Sequence, residues 1–156
     1  MSSLKVDSET LKNDVKEVFG AMGFADNMEE IESFQGTTSR VSVRMRGDAR
    51  MLIGEHGNNL AALEHILRRI IAKKHGVETP FSLDINDYRM QRMEELKQAV
   101  KAAAHGVRMY KKPVPLRPMS PFERRIVHLL LEEYPDIATE SVGADPERRV
   151  VIRPYP

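Results

Sequence analysis

With 156 residues, 41% of them apolar and 30% charged, the chain has the make-up of an ordinary soluble globular protein of one domain or two small ones. It contains no cysteine, which excludes a disulfide framework and a cysteine-ligated zinc site. No apolar run reaches the length of a membrane span or signal core, so the expected location is cytoplasmic, without direct membrane insertion. The formal net charge of +1 hides a segregation. Residues 1–36 hold 3 Lys/Arg against 8 Asp/Glu, residues 37–77 hold 8 against 3, and residues 108–125 hold 6 against 1. Charge sorted in this way along a chain predicts a basic surface.

Residues 8–22 read as a helix, with Ser8 as N-cap, an apolar stripe of Leu11, Val15, Val18, Phe19 and Met22, and Gly23 as the stop. Residues 28–35 form a strand of poor alternation. From Arg40 to Arg46 the alternation is clean, placing Val41, Val43 and Met45 inward and the arginines and Ser42 outward. Gly47-Asp48 turns the chain, and Ala49–Ile53 is a short helix leading to the bend Gly54-Glu55-His56-Gly57. A long helix follows, on which Leu60, Leu63, Ile66, Leu67, Ile70 and Ile71 make one apolar face and His65, Arg68, Arg69 and Lys73 the other. Phe81, Leu83 and Ile85 mark a further strand, with Ser82, Asp84 and Asn86 outward. The next helix spans Tyr88 to His105 with Met93, Leu96, Val100 and Ala103 or Ala104 inward, and Gly106 stops it. Val114–Pro118 suits an edge strand. Ser120-Pro121 opens a helix that Pro135 closes, and Ile137–Ser141 and Arg149–Arg153 are short strands around a turn at Gly143–Pro146.

Two constellations carry chemistry. At the first, glycines allow positive φ and close backbone approach, and the free amides of a helix N-terminus attract an anion such as a phosphodiester. Ile53 offers an apolar platform beside it. The contact expected here comprises Ile53, Gly54, Glu55, His56, Gly57, Asn58 and Arg68. At the second, Arg124 and His128 stand four apart on the helix face opposite Ile126, Val127, Leu129, Leu130, Leu131 and Tyr134, and are therefore expected as stacked neighbours on the exposed side. A guanidinium and an imidazole presented together hold phosphate and stack on a base. Arg117 and Arg125 extend that contact.

The G-x-x-G bend and the order α-β-β-α-α-β resemble a type II KH domain, which residues 4–87 complete. Arg124-x-x-x-His128, within Met119-Ser120-Pro121-Phe122-Glu123-Arg124-Arg125-Ile126-Val127-His128, resembles the core motif of the R-three-H domain, here residues 88–156 in an α-β-α-β-β order. Asp84-Ile85-Asn86-Asp87-Tyr88-Arg89 is similar to the junction of these domains in the bacterial Jag (SpoIIIJ-associated) family, and Thr139-Glu140-Ser141 and Arg148–Ile152 resemble that family's last two strands. The resemblance implies an α+β, non-enzymatic, single-stranded RNA-binding protein of the bacterial cytoplasm. It further implies a small single-KH partner and a role in post-transcriptional control and cell elongation. Two features depart from the family: the chain has no room for a separate Jag-N domain, and KH turns favour Lys or Arg where Glu55 and His56 stand. A carboxylate about 6 Å from a phosphate costs about 0.7 kcal/mol in bulk-water dielectric and nearly 3 at an effective dielectric near 20.

No P-loop, G-x-S-x-G or thiol nucleophile is present. Asp84, Asn86 and Asp87 read as a polar rim, and the five histidines show no zinc-ligand spacing. Neither a metal nor a cofactor is expected. The competing expectations are a protein-interaction adaptor with a vestigial KH clamp, motivated by Glu55, and a single-stranded DNA binder.

Overall fold

The computed structural model describes residues 5–156, so the expected domain start at Leu4 lies outside the described residues. The chain divides into two compact units between Arg89 and Met90.

In the first unit, α1 (Ser8–Ala21) is capped by Asp7, whose carboxylate accepts from the Thr10 amide at 2.9 Å. Ser8, read as the cap, is instead the first helical residue and bonds Ser33 Oγ at 2.7 Å on β1 (Met28–Phe34). β1 pairs antiparallel with β2 (Ser39–Met45), which pairs in parallel with β3 (Phe81–Ile85), giving the order β1-β2-β3. The parallel pairing needs a crossover, supplied by α2 (Arg50–Ile53) and α3 (Asn58–His75). Leu11, Val15 and Phe19 of α1 and Leu60, Leu67 and Ile71 of α3 are buried in one core with Val41, Val43, Phe81, Leu83 and Ile85.

The apolar stripe of α3 is narrower than its sequence implies. Leu60, Leu63, Leu67 and Ile71 are buried, whereas Ile66 and Ile70 are exposed at 52% and 41%. Asp84 also departs from the expected outward polar rim. It is buried, and its carboxylate accepts from the amides of Ile85 (2.9 Å) and Arg89 (3.2 Å), the latter in the first turn of α4 (Tyr88–Tyr110). Burial pushes its carboxyl above the ordinary value, against the lowering effect of those two bonds.

In the second unit α4 runs straight through Gly106 to Tyr110 and ends where Lys111 turns to a φ of 54°. A glycine inside a helix costs about 1 kcal/mol relative to alanine. Burial of Val107 and the paired contacts of Arg108 with Asp136 (2.7 and 2.9 Å) offset it. β4 (Val114–Pro115), α5 (Pro121–Leu131), β5 (Ile137–Val142) and β6 (Arg149–Pro154) follow, with an antiparallel sheet ordered β4-β6-β5. Proline fits β4 because that strand lies at the sheet edge. Leu96, Val100, Val107, Met119, Val127, Leu131, Val150 and Ile152 belong to the core of this unit. Both units are mixed α and β. Among the described residues no helix is long and apolar enough to cross a membrane.

Candidate nucleic-acid interface

The glycine bend is a real kink. Gly54 (φ 73°, ψ 176°) ends α2, His56 takes φ 55°, and Gly57 (φ 76°) immediately precedes α3. A Cβ on Gly54 would lie 2.6 Å from Asn59 Cγ and 2.9 Å from the Asn59 amide nitrogen; one on Gly57 would lie 2.9 Å from the Tyr88 ring. Asn59 donates to the Met51 carbonyl at 2.8 Å and closes the bend from inside. The amides of Gly54, Gly57 and Asn58 are bonded to the carbonyls of Arg50, Gly54 and Glu55, so part of the expected amide-lined anion seat is spent within the turn. Between the glycines the Glu55 side chain is 77% exposed. The His56 ring is folded inward, its Nε2 without a hydrogen bond and 3.7 Å from the Glu55 carboxylate. Ile53 packs against the core, and Arg68 does not project freely: its guanidinium donates to the Phe81 carbonyl (2.8 Å from Nε) and pairs with Glu64 at 2.9 Å.

On α5 the geometry differs from the expected exposed Arg–His pair. A capping box opens the helix: Ser120 Oγ accepts from the Glu123 amide at 3.2 Å, and the Glu123 carboxylate accepts from the Ser120 amide at 3.0 Å. The helix then turns Arg124, Val127 and Leu131 toward the core. Arg124 is only 8% exposed, its Nη1 donating to the Met119 carbonyl (2.8 Å) and to Asp145 (3.2 Å). The expectation that Arg124 stands on the solvent face is therefore corrected. The sheet lies on the arginine side of the helix, and paired hydrogen bonds let the charge be buried. Leu129 and Tyr134, expected with the core, are exposed for the same reason.

His128 sits half-buried between two hydroxyls of β5, Nδ1 at 2.6 Å from Thr139 Oγ1 and Nε2 at 3.0 Å from Ser141 Oγ. A neutral imidazole donates from one nitrogen and accepts at the other. The hydroxyl that accepts from the ring keeps its own O–H for a ligand, while the hydroxyl that donates to the ring keeps free lone pairs. Arg124, His128, Thr139 and Ser141 line an open groove of about 530 Å³ together with Arg125, Leu129, Glu132 and Arg148. Arg148 is steadied by a bond to the Gly143 carbonyl at 3.1 Å. Arg125 and Arg117 are exposed and have no ion pair among the described residues. The exposed Arg125 guanidinium, the Arg148 guanidinium, one donor hydroxyl and one acceptor hydroxyl suit an anionic ligand with polar edges.

Residues 94–154 match the family model of the R-three-H domain. A protein of Clostridium symbiosum named RNA-binding protein KhpB is 33% identical over 139 residues, 88% of this chain and 62% of its own length. The Bacillus subtilis protein of the same name is 35% identical over 106 residues (67% and 51%), and that of Lactiplantibacillus plantarum 37% over 103 (65% and 32%). Over most of its length the chain is thus similar to the KhpB (Jag) proteins. It spans about a third to three-fifths of the length of these relatives.

Of the residues anticipated on the R-three-H helix, Arg124, Arg125 and His128 line one groove, while Arg117 is exposed just ahead of the helix. The anticipation missed Thr139, Ser141 and Arg148. Alternation along β5 does put 139 and 141 on one face, but only tertiary packing brings that face against His128. Among the described residues, no three His, Asp or Glu side chains are grouped to hold a metal ion.

Proposed function

We propose that this KhpB relative binds single-stranded RNA in the R-three-H groove. Arg125 and Arg148 hold phosphate there, Arg117 extends the contact, and Thr139 and Ser141 meet the polar edges of the nucleotide. Arg124 and His128 act mainly as the frame: one fixes the loop at Met119 and Asp145, the other fixes the two hydroxyls. The observation that carries this reading is the gathering of Arg125, Arg148 and the hydroxyl-clasped His128 around one open groove. The relatives' printed name, RNA-binding protein, supports the choice of ligand.

The first unit is read as a type II KH domain, supported by its α-β-β-α-α-β order, the parallel β2–β3 pair and the G-x-x-G bend between α2 and α3. Its exposed Glu55 and internally bonded amides favour a second reading of that unit, as a protein-interaction module that docks a small single-KH partner. A role in post-transcriptional control and cell elongation rests on the family resemblance alone.

The test is a titration of a short single-stranded RNA at several salt concentrations, with wild type beside Arg125→Ala/Arg148→Ala. Each lost phosphate contact flattens the slope of log K against log salt by about 0.7 for a single strand, so the double variant is expected to be flatter by about 1.4. Absence of binding at micromolar protein, or an unchanged slope in the variant, overturns the reading. Competition with DNA of equal sequence decides between RNA and single-stranded DNA.

A further inference from the structure

The R-three-H unit has a second basic groove, on the other flank of α5, that the Arg-x-x-x-His motif does not touch. It has a volume of about 320 Å³ and is lined by Lys97, Lys101, His105 and Arg108 of α4 with Leu130 and Tyr134. The sequence around it is one-sided: residues 96–122 contain Lys97, Lys101, Arg108, Lys111, Lys112 and Arg117 and no Asp or Glu. Lys97 and Lys101 have no ion pair among the described residues, and no carboxylate lines the groove. Arg108 is held in place by Asp136 and lies 4.8 Å from the centre of the Tyr134 ring, which is itself partly exposed.

From these observations we infer that this groove is a second binding site for the backbone of single-stranded RNA, separate from the one at His128. Lys97, Lys101 and His105 follow one another at four-residue intervals, about 6 Å apart along a rigid helix. Two lysine cations one helical turn apart, with an imidazole donor at the next turn, match a polymer with one charge per repeat, and the Arg108–Tyr134 stack offers a flat surface at its end for an unpaired base. A carboxylate-rich protein segment would match the charge but leave that flat surface unused. The inference takes its ligand from the RNA-binding reading above and goes beyond it in adding a site.

The experiment uses the full chain and the same RNA titration, comparing wild type with Lys97→Ala/Lys101→Ala. Both positions are exposed on a helix, so the fold is retained, which circular dichroism and the melting temperature check. Two lost phosphate contacts flatten the salt slope by about 1.4, so the wild type's advantage shrinks about sevenfold between 50 and 200 mM salt. Lys97→Arg/Lys101→Arg restores the slope. An Ala variant with the wild-type slope and affinity overturns the second site while leaving the first groove standing; failure of wild type to bind at all instead removes the RNA reading itself. Displacement of RNA by an oligoglutamate of equal charge at the same concentration as by unlabelled RNA also overturns the inference.

Discussion

Replacing Arg124 by alanine separates a frame residue from a ligand-holding one. The side chain is 8% exposed and donates from Nη1 to the Met119 carbonyl at 2.8 Å and to Asp145 at 3.2 Å. A hydrogen bond from a charged group contributes about 1.5–3 kcal/mol. The Asp145 carboxylate is mostly exposed and regains water, so its half of the arrangement adds little. The Met119 bond and the lost packing of the arginine stem together place the cost at about 2 kcal/mol. At about 4–8 °C per kcal/mol for a unit of this size, the melting temperature falls by about 10 °C. Arg125→Ala, at an exposed position without an ion pair among the described residues, changes stability by less than about 0.5 kcal/mol but weakens RNA binding. The assay is paired thermal melting and RNA titration on both variants. An Arg124→Ala protein that melts with wild type yet loses RNA would show that the guanidinium is spent on the ligand, and the framing argument would be wrong.

Other perturbations test the first unit. Gly57→Ala pushes a methyl to 2.9 Å from the Tyr88 ring at a φ of 76°, and Gly54→Ala meets the Asn59 backbone; each is expected to cost about 1–3 kcal/mol in urea unfolding, and a wild-type midpoint would refute the close packing. Glu55→Lys exchanges a repulsion of about 0.7 kcal/mol for a similar attraction at about 6 Å in water-like dielectric, so if RNA reaches the turn its affinity rises about tenfold, whereas no change assigns the turn to another role. Asp14 is buried and accepts from Lys74 at 2.6 Å and His75 at 2.5 Å; burial raises its pKa, but those two partners outweigh burial and bring it below 3.8. The carboxylate's contribution is therefore full above pH 3.8 and is lost as the pH falls through the lowered folded value. Asp14→Asn should flatten that acid limb in pH-dependent melting, and an unaltered limb would count against the cluster.

The strands and helices were legible wherever periodicity and burial agree. Val41, Val43 and Met45 alternate inward as written, and Leu11, Val15 and Phe19 line α1. Reading failed where a local rule was outweighed by packing. Gly106 lacks the stop it suggests because Val107 beyond it is buried, and Ile66 and Ile70 are exposed because none of the described residues of the first unit covers that side of α3. The candidate site shows the same limit. The Arg-x-x-x-His spacing locates α5 and its groove, but a charged side chain is not thereby an exposed one, as Arg124 shows, and the hydroxyl partners of His128 come from a strand 11 and 13 residues away.

The run Glu123-Arg124-Arg125 looks like three charged side chains alike in exposure, yet each has a different neighbourhood. Glu123 is fastened to Arg92 at 2.6 Å, Arg124 to Met119 and Asp145, and Arg125 alone meets water. Two of the three charges, one of each sign, are thus paired internally, and the attraction that this turn offers an approaching polyanion comes from Arg125. Engineering the electrostatics of this helix has one permissive position in that triplet; recolouring either neighbour would loosen the scaffold before it altered attraction.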